Sequence, residues 1–353
     1  MNFKLDMNNK KIKVSLVIPA YNESADIGSN LYELEKYMLD YLGQNGWEII
    51  VVNDGSTDNT LEILENIQKS ETWLNVIDLG KNYGRGKALR EALENSSGDI
   101  IVSLDADLSY APYHIRKLIE AMENDNVDLV LASAYKDGGS VINVPFNRLW
   151  ISKLGNRILS YMFGGNITVL TCMVRAYKNE FIKSIDLHSN DKEIHLEILS
   201  KARMLGGKII EIPADLCWRN EKLLKEVNQG LSKRRSTLKV KKTSFSHLFF
   251  ALLNKPGLVF WIPGFLLFLL FFYIFLISLT AIASDVFNGV TIYHATRNSM
   301  INAAPSWITA AVSFVLGIQF VSLGFLTNQN KRNYEEVYKT LSSIYSEIKK
   351  RKD

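Results

Sequence analysis

Short apolar runs alternate with amphipathic segments over residues 14–133, and this alternation limits the folds that the chain can adopt. Each run is rich in Val, Ile and Leu, and a polar turn and a stretch with helical spacing of apolar residues follow it. Strands that alternate with helices build βαβ units, which place the strands parallel in one sheet. The predicted strands are 14–19, 47–52, 76–79, 100–104 and 127–133. The sequence therefore predicts an α/β fold, a mostly parallel Rossmann-like sheet with helices on both faces.

Polar side chains follow four of these strands at the point where each apolar run ends. They are Asn22 and Glu23, Asp54, Lys81 and Asn82, and Asp105 and Asp107. Open α/β sheets bind their ligands outside the carboxyl ends of the strands. We therefore expect these polar groups to lie along one edge of the sheet and to line a single site.

Two carboxylates, Asp105 and Asp107, stand one residue apart after the fourth apolar run. Residues i and i+2 of an extended strand point the same way, so the pair is expected to converge on one point. Close carboxylates repel unless a cation lies between them, and a divalent metal that carries a diphosphate suits their oxygen ligands. A solvated turn rich in Asp is the alternative, and the pair taken alone favours it.

A glycine-rich basic loop, 80–87, precedes the third predicted helix. Free backbone amides and a helix N-terminus bind anions, so this loop invites interpretation as a phosphate site. Its spacing fits neither a Walker A loop nor the Gly-x-Gly-x-x-Gly dinucleotide pattern. Taken alone, it is better interpreted as a plain glycine loop.

Composition and charge argue against several classes of protein. The formal net charge of +4 gives no support for binding nucleic acid. The two cysteines, Cys172 and Cys217, form neither a disulfide framework nor a metal-binding spacing, which suits a reducing cytosol. Residues 1–13 are polar and lysine-rich and lack the apolar stretch of a signal peptide.

Two uncharged apolar runs, 258–283 and 303–327, exceed the roughly 20 residues that span a bilayer. Their outer flanks are basic, at 233–242 on one side and at 331–332 and 349–352 on the other. Positive flanks stay in the cytoplasm, so a multi-pass protein of the plasma membrane is predicted. The expected parts are a cytoplasmic domain (1–235), a basic linker with an interfacial helix (236–257), two transmembrane helices (258–327) and a cytoplasmic tail (328–353).

Four motifs occur in order along the predicted domain: IPAYNE at 18–23, VNDGSTD at 52–58, NYGRGKA at 82–88 and DADL at 105–108. Together they resemble the family 2 glycosyltransferases of GT-A fold. Over residues 12–235 the chain is most similar to polyprenyl-phosphate hexosyltransferases of the dolichyl-phosphate mannose synthase type. The resemblance implies metal-dependent, inverting transfer of a hexose from a GDP- or UDP-linked nucleotide sugar to a polyprenyl phosphate on the cytoplasmic leaflet.

The resemblance also implies residue roles at matched positions. Pro19, Tyr21, Glu23 and Asp54 would hold the nucleotide, with Lys81, Arg219 and Lys233 completing the donor-binding set. Asp105 and Asp107 would bind Mg2+ or Mn2+ on the donor diphosphate. Arg148 and Ser152 match the arginine and serine that grip the lipid phosphate, and Arg148 joins the two aspartates as a catalytic residue.

The chain departs from the family pattern at several positions. Ser109 stands where a Gln is frequent, and Ala134 replaces a usual arginine, for which Lys136 is the expected substitute. Val169 and Met173 replace a usual Asp and a usual Gly. These departures concern the acceptor and the hexose rather than the chemistry.

The nature of the acceptor decides whether a general base is needed. A lipid phosphate is already anionic, whereas an alcohol needs a base with a pKa near neutral. Glu197 is the other candidate base, although a structural helix carboxylate is the favoured interpretation. The alternatives are transfer to a lipid or glycan hydroxyl, and a membrane-anchored nucleotide-binding or scaffold protein without catalysis, which the intact aspartates disfavour. The oligomeric state stays open.

Overall fold

The computed structural model describes residues 14–144, 146–163, 167–218 and 255–350. These residues belong to two compact units. The first unit contains the α/β domain, and the second, Leu252–Tyr338, contains the long apolar helices.

A seven-stranded sheet forms the centre of the first unit, as the apolar runs predict. Its strands are β1 (Val14–Ala20), β2 (Trp47–Asn53), β3 (Leu74–Asp78), β4 (Ile100–Ser103), β5 (Leu129–Ser133), β7 (Arg175–Lys178) and β8 (Ile209–Pro213). Their spatial order is β3-β2-β1-β4-β7-β5-β8. A second sheet pairs β6 (Ser140–Ile142) with β9 (Asp215–Cys217).

Helices connect the strands of the first unit. They are α1 (Ile27–Leu42), α2 (Thr60–Ser70), α3 (Arg85–Asn95), α4 (Tyr113–Asp125), α5 (Phe146–Met162), α6 (Asn179–Lys183) and α7 (Ile194–Met204). Leu31, Leu34 and Met38 of α1 are buried against strand residues such as Leu16 and Ile18 in one core. Each side chain of this size contributes about 1.5–3 kcal/mol when it is fully buried. This core fixes the sheet whose edge carries the predicted site.

One strand of the sheet runs against the others. Strand β7 lies between β4 and β5 and is antiparallel to both, with Ala176 opposite Val102 on one side and Val130 on the other. The other pairs of the sheet, β1–β2, β1–β4, β2–β3 and β5–β8, are parallel. The prediction of a mostly parallel α/β sheet is therefore confirmed, with one reversed strand that the apolar pattern did not reveal.

Three helices follow in the chain: α8 (Pro256–Phe287), α9 (Ile292–Asn302) and α10 (Ala304–Lys350), the last of which belongs to the second unit as far as Tyr338. Gly257–Phe287 and Ala304–Ser342 are long and apolar enough to cross a membrane, by length and composition. Gly264 and Gly317 allow close packing, since a Cβ on Gly264 would lie 3.3 Å from the Gly317 carbonyl oxygen. Helix α9 lies between the two predicted spans, and α10 continues well beyond residue 327. The predicted interfacial helix at 245–253 lies outside the described residues.

Candidate active site

Polar residues at the carboxyl ends of β1, β2 and β3 form hydrogen bonds with one another. The backbone amide of Thr57 donates to Asn22 Oδ1 at 2.8 Å, and the amide of Asn22 donates to Ser56 Oγ at 3.0 Å. Asn53 Nδ2 donates to Asp78 Oδ1 at 2.7 Å, which links the ends of β2 and β3. Parallel pairing brings these strand ends to one edge, as the sequence predicts.

Asp54 lies at this edge but faces inward, with only 3% of the residue exposed. Its carboxylate accepts the backbone amides of Tyr83 at 2.8 Å and of Gly84 at 3.0 Å. Burial raises the pKa of Asp54 above its ordinary value, while the Tyr83 and Gly84 amides oppose that shift and the nearby Asp191 carboxylate adds to it. In this structure Asp54 anchors the glycine-rich loop, and a direct contact with a nucleotide stays a prediction.

The glycine-rich loop uses its amides inside the protein. Gly84 has φ +104°, and a Cβ there would clash with the carbonyl of Asn190. That same carbonyl accepts the amides of Gly86 at 2.8 Å and of Lys87 at 3.1 Å, at the start of α3. With the Tyr83 and Gly84 amides already on Asp54, four amides of this loop are engaged within the protein rather than open to a phosphate. These contacts agree with the interpretation as a plain glycine loop, which stays a prediction.

The predicted metal ligands lie just beyond β4. The strand ends at Ser103, so Asp105 and Asp107 occupy the following turn rather than the strand, which corrects the expectation from strand geometry. The alternation nevertheless persists: the apolar neighbours Leu104, Ala106 and Leu108 are buried, while both carboxylates are half-buried. The amide of Ser109 donates to Asp107 Oδ1 at 2.9 Å.

The donor set of this turn fits a hard divalent cation that completes its shell elsewhere. Among the described residues there is no group of three or more His, Cys, Asp or Glu side chains that could hold a metal. Mg2+ is commonly held by one or two carboxylates together with substrate phosphates and water. Asp105 and Asp107 therefore suit an ion that arrives with a diphosphate, rather than a closed protein cage.

The other predicted donor residues occupy different environments. Pro19 is half-buried within β1, and Tyr21 is exposed just after it. The amide of Glu23 donates to Thr60 Oγ1 at 2.9 Å, at the start of α2. Lys81 is exposed, with Nζ 4.7 Å from the centre of the Tyr83 ring. Arg219 and Lys233 lie outside the described residues.

Two of the three predicted acceptor residues, Arg148 and Ser152, belong to α5, and the third, Lys136, precedes it in the chain. Arg148 lies in the first turn of α5, where the structure describes the backbone but not this side chain. Ser152 Oγ accepts the Tyr135 hydroxyl at 2.9 Å, and Lys136 Nζ donates to the Glu211 carbonyl at 2.5 Å. A set of large apolar side chains of α5 is exposed: Phe146, Trp150, Ile151, Leu154, Ile158 and Tyr161. A cluster of exposed large apolar side chains on one helix commonly marks an interaction site.

Two buried charges anchor the segment before β7. The fully buried guanidinium of Arg175 donates to the carbonyls of Leu170 at 2.6 Å, Cys172 at 2.7 Å and His195 at 3.1 Å. Glu211 accepts the amides of Thr168 and Val169 at 2.8–2.9 Å. The segment that departs from the family pattern at Val169 and Met173 is therefore held through its backbone.

A comparison with known families decides the nature of this domain. Residues 15–186 match the family model described as glycosyl transferase family 2. These residues form a glycosyl transferase family 2 domain. The sequence resemblance to this family is thereby confirmed.

Two curated relatives match this chain at more than 30% identity. The chain is 34% identical to a dolichol-phosphate mannosyltransferase of Pyrococcus furiosus over 57% of this chain and 56% of that protein. It is 31% identical to an undecaprenyl-phosphate 4-deoxy-4-formamido-L-arabinose transferase of Edwardsiella ictaluri, over 57% and 58%. The chain thus spans just over half the length of both relatives.

A solved structure shares the GT-A fold of the family 2 domain. Glucosyl-3-phosphoglycerate synthase of Mycobacterium tuberculosis, solved with Mn2+, UDP and phosphoglyceric acid, matches with a TM-score of 0.50 at 20% identity. The match covers 69% of this chain and 78% of that one.

Glu197, which lies in α7 beyond the matched residues, has a structural role. It is buried and accepts Lys201 Nζ at 2.7 Å and the amides of Ser189 at 2.8 Å and His188 at 3.0 Å. Burial raises the pKa of Glu197, but these hydrogen bonds, led by the one from Lys201, outweigh it and lower the pKa below its ordinary value. A general base needs a pKa near neutral, so the favoured structural interpretation agrees with this geometry.

Sequence reasoning overlooked three residues that hold or approach the site: Arg85, Arg175 and Glu211. Glu211 is the lone charge of the apolar strand β8, and such a charge is a signal of a buried anchor, whereas Arg175 begins a short strand that also contains Lys178 and gives no such signal. Arg85 lies inside the third motif, and its side chain pairs with Asp105. No local pattern reveals that pair, because it joins residues from different strand ends.

Proposed function

We propose that the chain is a membrane-anchored inverting glycosyltransferase that moves a hexose from a GDP- or UDP-linked sugar to a polyprenyl phosphate. The observation that carries this proposal is α5. The helix bears Arg148 and Ser152 and exposes large apolar side chains, among them Phe146 at 77% and Tyr161 at 69%. Polar side chains on an otherwise apolar surface suit an acceptor that has a phosphate head group and a hydrocarbon tail.

The relatives support the same acceptor class. The two named above are a dolichol-phosphate and an undecaprenyl-phosphate transferase, and both exceed 30% identity. The helices α8 and α10 are long and apolar enough to hold the enzyme at a membrane. The proposed topology keeps the catalytic domain and the C-terminus in the cytoplasm, where nucleotide sugars are made, with the plasma membrane as the site.

In the proposed reaction a phosphate oxygen of the acceptor attacks the anomeric carbon of the hexose. The bond from that carbon to the nucleoside diphosphate breaks, and the diphosphate leaves with the electron pair. A bound Mg2+ or Mn2+, held by Asp105 and Asp107, supplies charge stabilisation for this leaving group. Arg148 and Ser152 position the acceptor, and Pro19, Tyr21, Glu23, Asp54, Lys81, Arg219 and Lys233 form the proposed donor-binding set.

The proposed acceptor removes the need for a general base. A phosphate oxygen is already ionised at neutral pH and can attack without losing a proton. Glu197, the named candidate base, is held by three hydrogen bonds that keep its pKa low. Because Glu197 is not poised as a base, its environment favours a phosphate acceptor over a hydroxyl acceptor.

A donor and acceptor panel tests the proposal. The full-length protein in detergent is incubated with radiolabelled GDP- and UDP-hexoses, with and without undecaprenyl phosphate, in Mg2+, Mn2+ or EDTA. We expect a butanol-extractable labelled lipid from one donor, only with lipid phosphate and metal. The absence of such a lipid with every donor overturns the proposal, and metal-dependent hydrolysis of a donor without it favours a hydroxyl acceptor.

A further inference from the structure

Arg85 places a positive charge on one of the two proposed metal ligands. Its Nη1 lies 3.1 Å from Asp105 Oδ1, with side chains that are 44% and 22% exposed, respectively. Ion pairs on an exposed surface contribute little to folding stability. The main consequence of this contact is therefore electrostatic: the guanidinium of Arg85 offsets part of the negative charge of the two carboxylates.

The backbone on both sides of Arg85 is fixed. The amide of Gly84 donates to Asp54, and the amide of Gly86 donates to the Asn190 carbonyl. Side chains at either glycine would collide with the 189–191 segment, so the two backbones pack directly together. Since the Cα of Arg85 is held in this way, motion of the guanidinium is confined to its own side-chain torsions.

The amides of Tyr83, Gly84, Gly86 and Lys87 are already engaged, so the positive charge that this loop offers to an anionic donor lies mainly on its side chains. Its three cationic side chains differ in their contacts. Lys87 pairs with Glu91 on the same helix, and Lys81 lies over the Tyr83 ring. Arg85 is the one that reaches Asp105.

We propose that Arg85 exchanges partners: it neutralises Asp105 while the donor is absent and moves to the donor diphosphate when a metal takes the carboxylate. This inference rests on the metal-dependent transfer proposed above. A guanidinium and a metal ion compete for the same carboxylate, since two cations on it repel each other. The fork of donors on arginine matches phosphate oxygens well.

The exchange makes metal binding depend on the nucleotide. Arg85 weakens metal binding to the free protein, and the diphosphate removes that competition by offering the guanidinium a better partner. By linkage, the metal strengthens nucleotide binding by the same factor as the nucleotide strengthens metal binding. The site would thus load metal and donor together rather than metal alone.

Mn2+ titrations followed by the EPR signal of the free ion test the exchange in the full-length protein, alone and with GDP or UDP. For the wild type we expect tighter Mn2+ binding with one nucleotide, by roughly 5- to 150-fold, the usual range of coupling. For Arg85→Gln we expect Mn2+ alone to bind roughly twofold to fivefold tighter, the scale of an exposed ion pair. The gain from nucleotide should shrink in this variant.

Two further variants control for charge and shape. Arg116→Gln removes an equally charged side chain that pairs with Glu120 on α4, and both titrations should match the wild type. Arg85→Lys keeps the charge without the fork, so its nucleotide coupling should fall between those of the wild type and Arg85→Gln.

Separate outcomes overturn the exchange and the proposed metal site. Wild-type behaviour of Arg85→Gln in both titrations overturns the exchange while the metal site stands. Tighter Mn2+ binding by Arg116→Gln as well shows a general charge effect, which also overturns it. If the wild type binds no Mn2+ with or without nucleotide, the metal site of the proposed function fails together with this inference.

Discussion

The two halves of the sheet hold their loops with buried charges of opposite sign. In the parallel half, β3-β2-β1-β4, the carboxylate of Asp54 gathers the amides of Tyr83 and Gly84. In the half that contains the reversed strand, the guanidinium of Arg175 gathers the carbonyls of Leu170, Cys172 and His195. All of these hydrogen bonds are made to backbone amides or carbonyls, so both charged side chains hold backbone rather than other side chains.

The difference lies in where each anchor stands relative to the motifs. Asp54 and its partners belong to the motifs at 52–58 and 82–88, and the carboxylates of the motif at 105–108 follow the next strand. Arg175 and Glu211 stand outside the four motifs, and the segment that they hold departs from the family at Val169 and Met173. The proposed donor end is thus built from motif residues, whereas the proposed acceptor end is fixed through its backbone, which leaves its side chains free to vary.

The largest effect is expected from Asp107→Ala, which tests the donor end. Loss of one of the two proposed metal ligands should lower metal-dependent turnover roughly 1,000-fold, equivalent to about 4 kcal/mol. The folded state should persist, because Asp107 is half-buried in a turn rather than in the core. Turnover with Mn2+ and circular dichroism measure the two properties. Asp107→Asn, which can still accept the Ser109 amide, is the matched control for the turn, and full activity of Asp107→Ala with Mn2+ would remove the metal role.

Arg175→Met tests the anchor of the other half. The substitution leaves three carbonyls without their donor, and we expect the free energy of unfolding to fall by roughly 3 kcal/mol. Urea unfolding of the full chain measures the change. Arg116→Met, on the exposed face of α4, should leave the midpoint nearly unchanged. Equal midpoints for the two variants would show that the buried guanidinium is not an anchor.

Arg148→Lys tests whether Arg148 binds the lipid phosphate rather than the nucleotide sugar. Lysine lacks the bidentate fork, so the KM for undecaprenyl phosphate should rise by an amount equivalent to roughly 1.5–3 kcal/mol. Donor affinity without lipid should stay the same, as measured by nucleotide titration. Arg157→Lys on the exposed surface of the same helix is the control. Weaker nucleotide binding, or a lower Tm with lipid affinity intact, would place Arg148 outside the acceptor site.

Glu197→Gln gives the smallest expected effect and concerns the backbone contacts behind the glycine loop. Because folding lowers the pKa of Glu197, its ionised form stabilises the protein above the unfolded pKa of about 4.3. That contribution is lost as pH falls below this value, through the lower pKa of the folded state. Near pH 7 the variant should be less stable by roughly 1 kcal/mol, and the difference should shrink on acidification.

Thermal melts from pH 7 to pH 3 measure this dependence, with Glu65→Gln on the exposed face of α2 as control. Turnover at neutral pH should change little, since Glu197 is a structural residue. A loss of turnover by orders of magnitude in a folded variant would instead restore Glu197 as a catalytic base.

Much of the parallel half was predictable from local patterns. The runs at 14–19, 47–52 and 100–104 became β1, β2 and β4 with shifts of a residue at their ends, because burial on both faces requires a continuous apolar run. The placement of polar residues at one edge followed from the parallel topology. The helical interpretation of the residues around Glu197 also held, since their apolar spacing is helical.

The reversed strand and the charge contacts depended on tertiary structure. Strand β7 is four residues long and begins with a charge, so no local pattern separates it from a loop. Arg85 meets Asp105, and Glu211 meets Thr168, only after the chain has folded, because these partners are 20 and 43 residues apart.

The sequence by itself determined the α/β class, the family of the domain and the pair of carboxylates after the fourth strand. Each of these follows from residues that are neighbours in the chain, where propensity and burial act over a few positions. Tertiary structure alone decided that the Asp54 carboxylate accepts amides of the glycine-rich loop and that Arg85 reaches Asp105. It also decided that the amides of Gly86 and Lys87 donate to the carbonyl of Asn190. These facts depend on which polar groups satisfy one another once buried, and local sequence does not specify that choice.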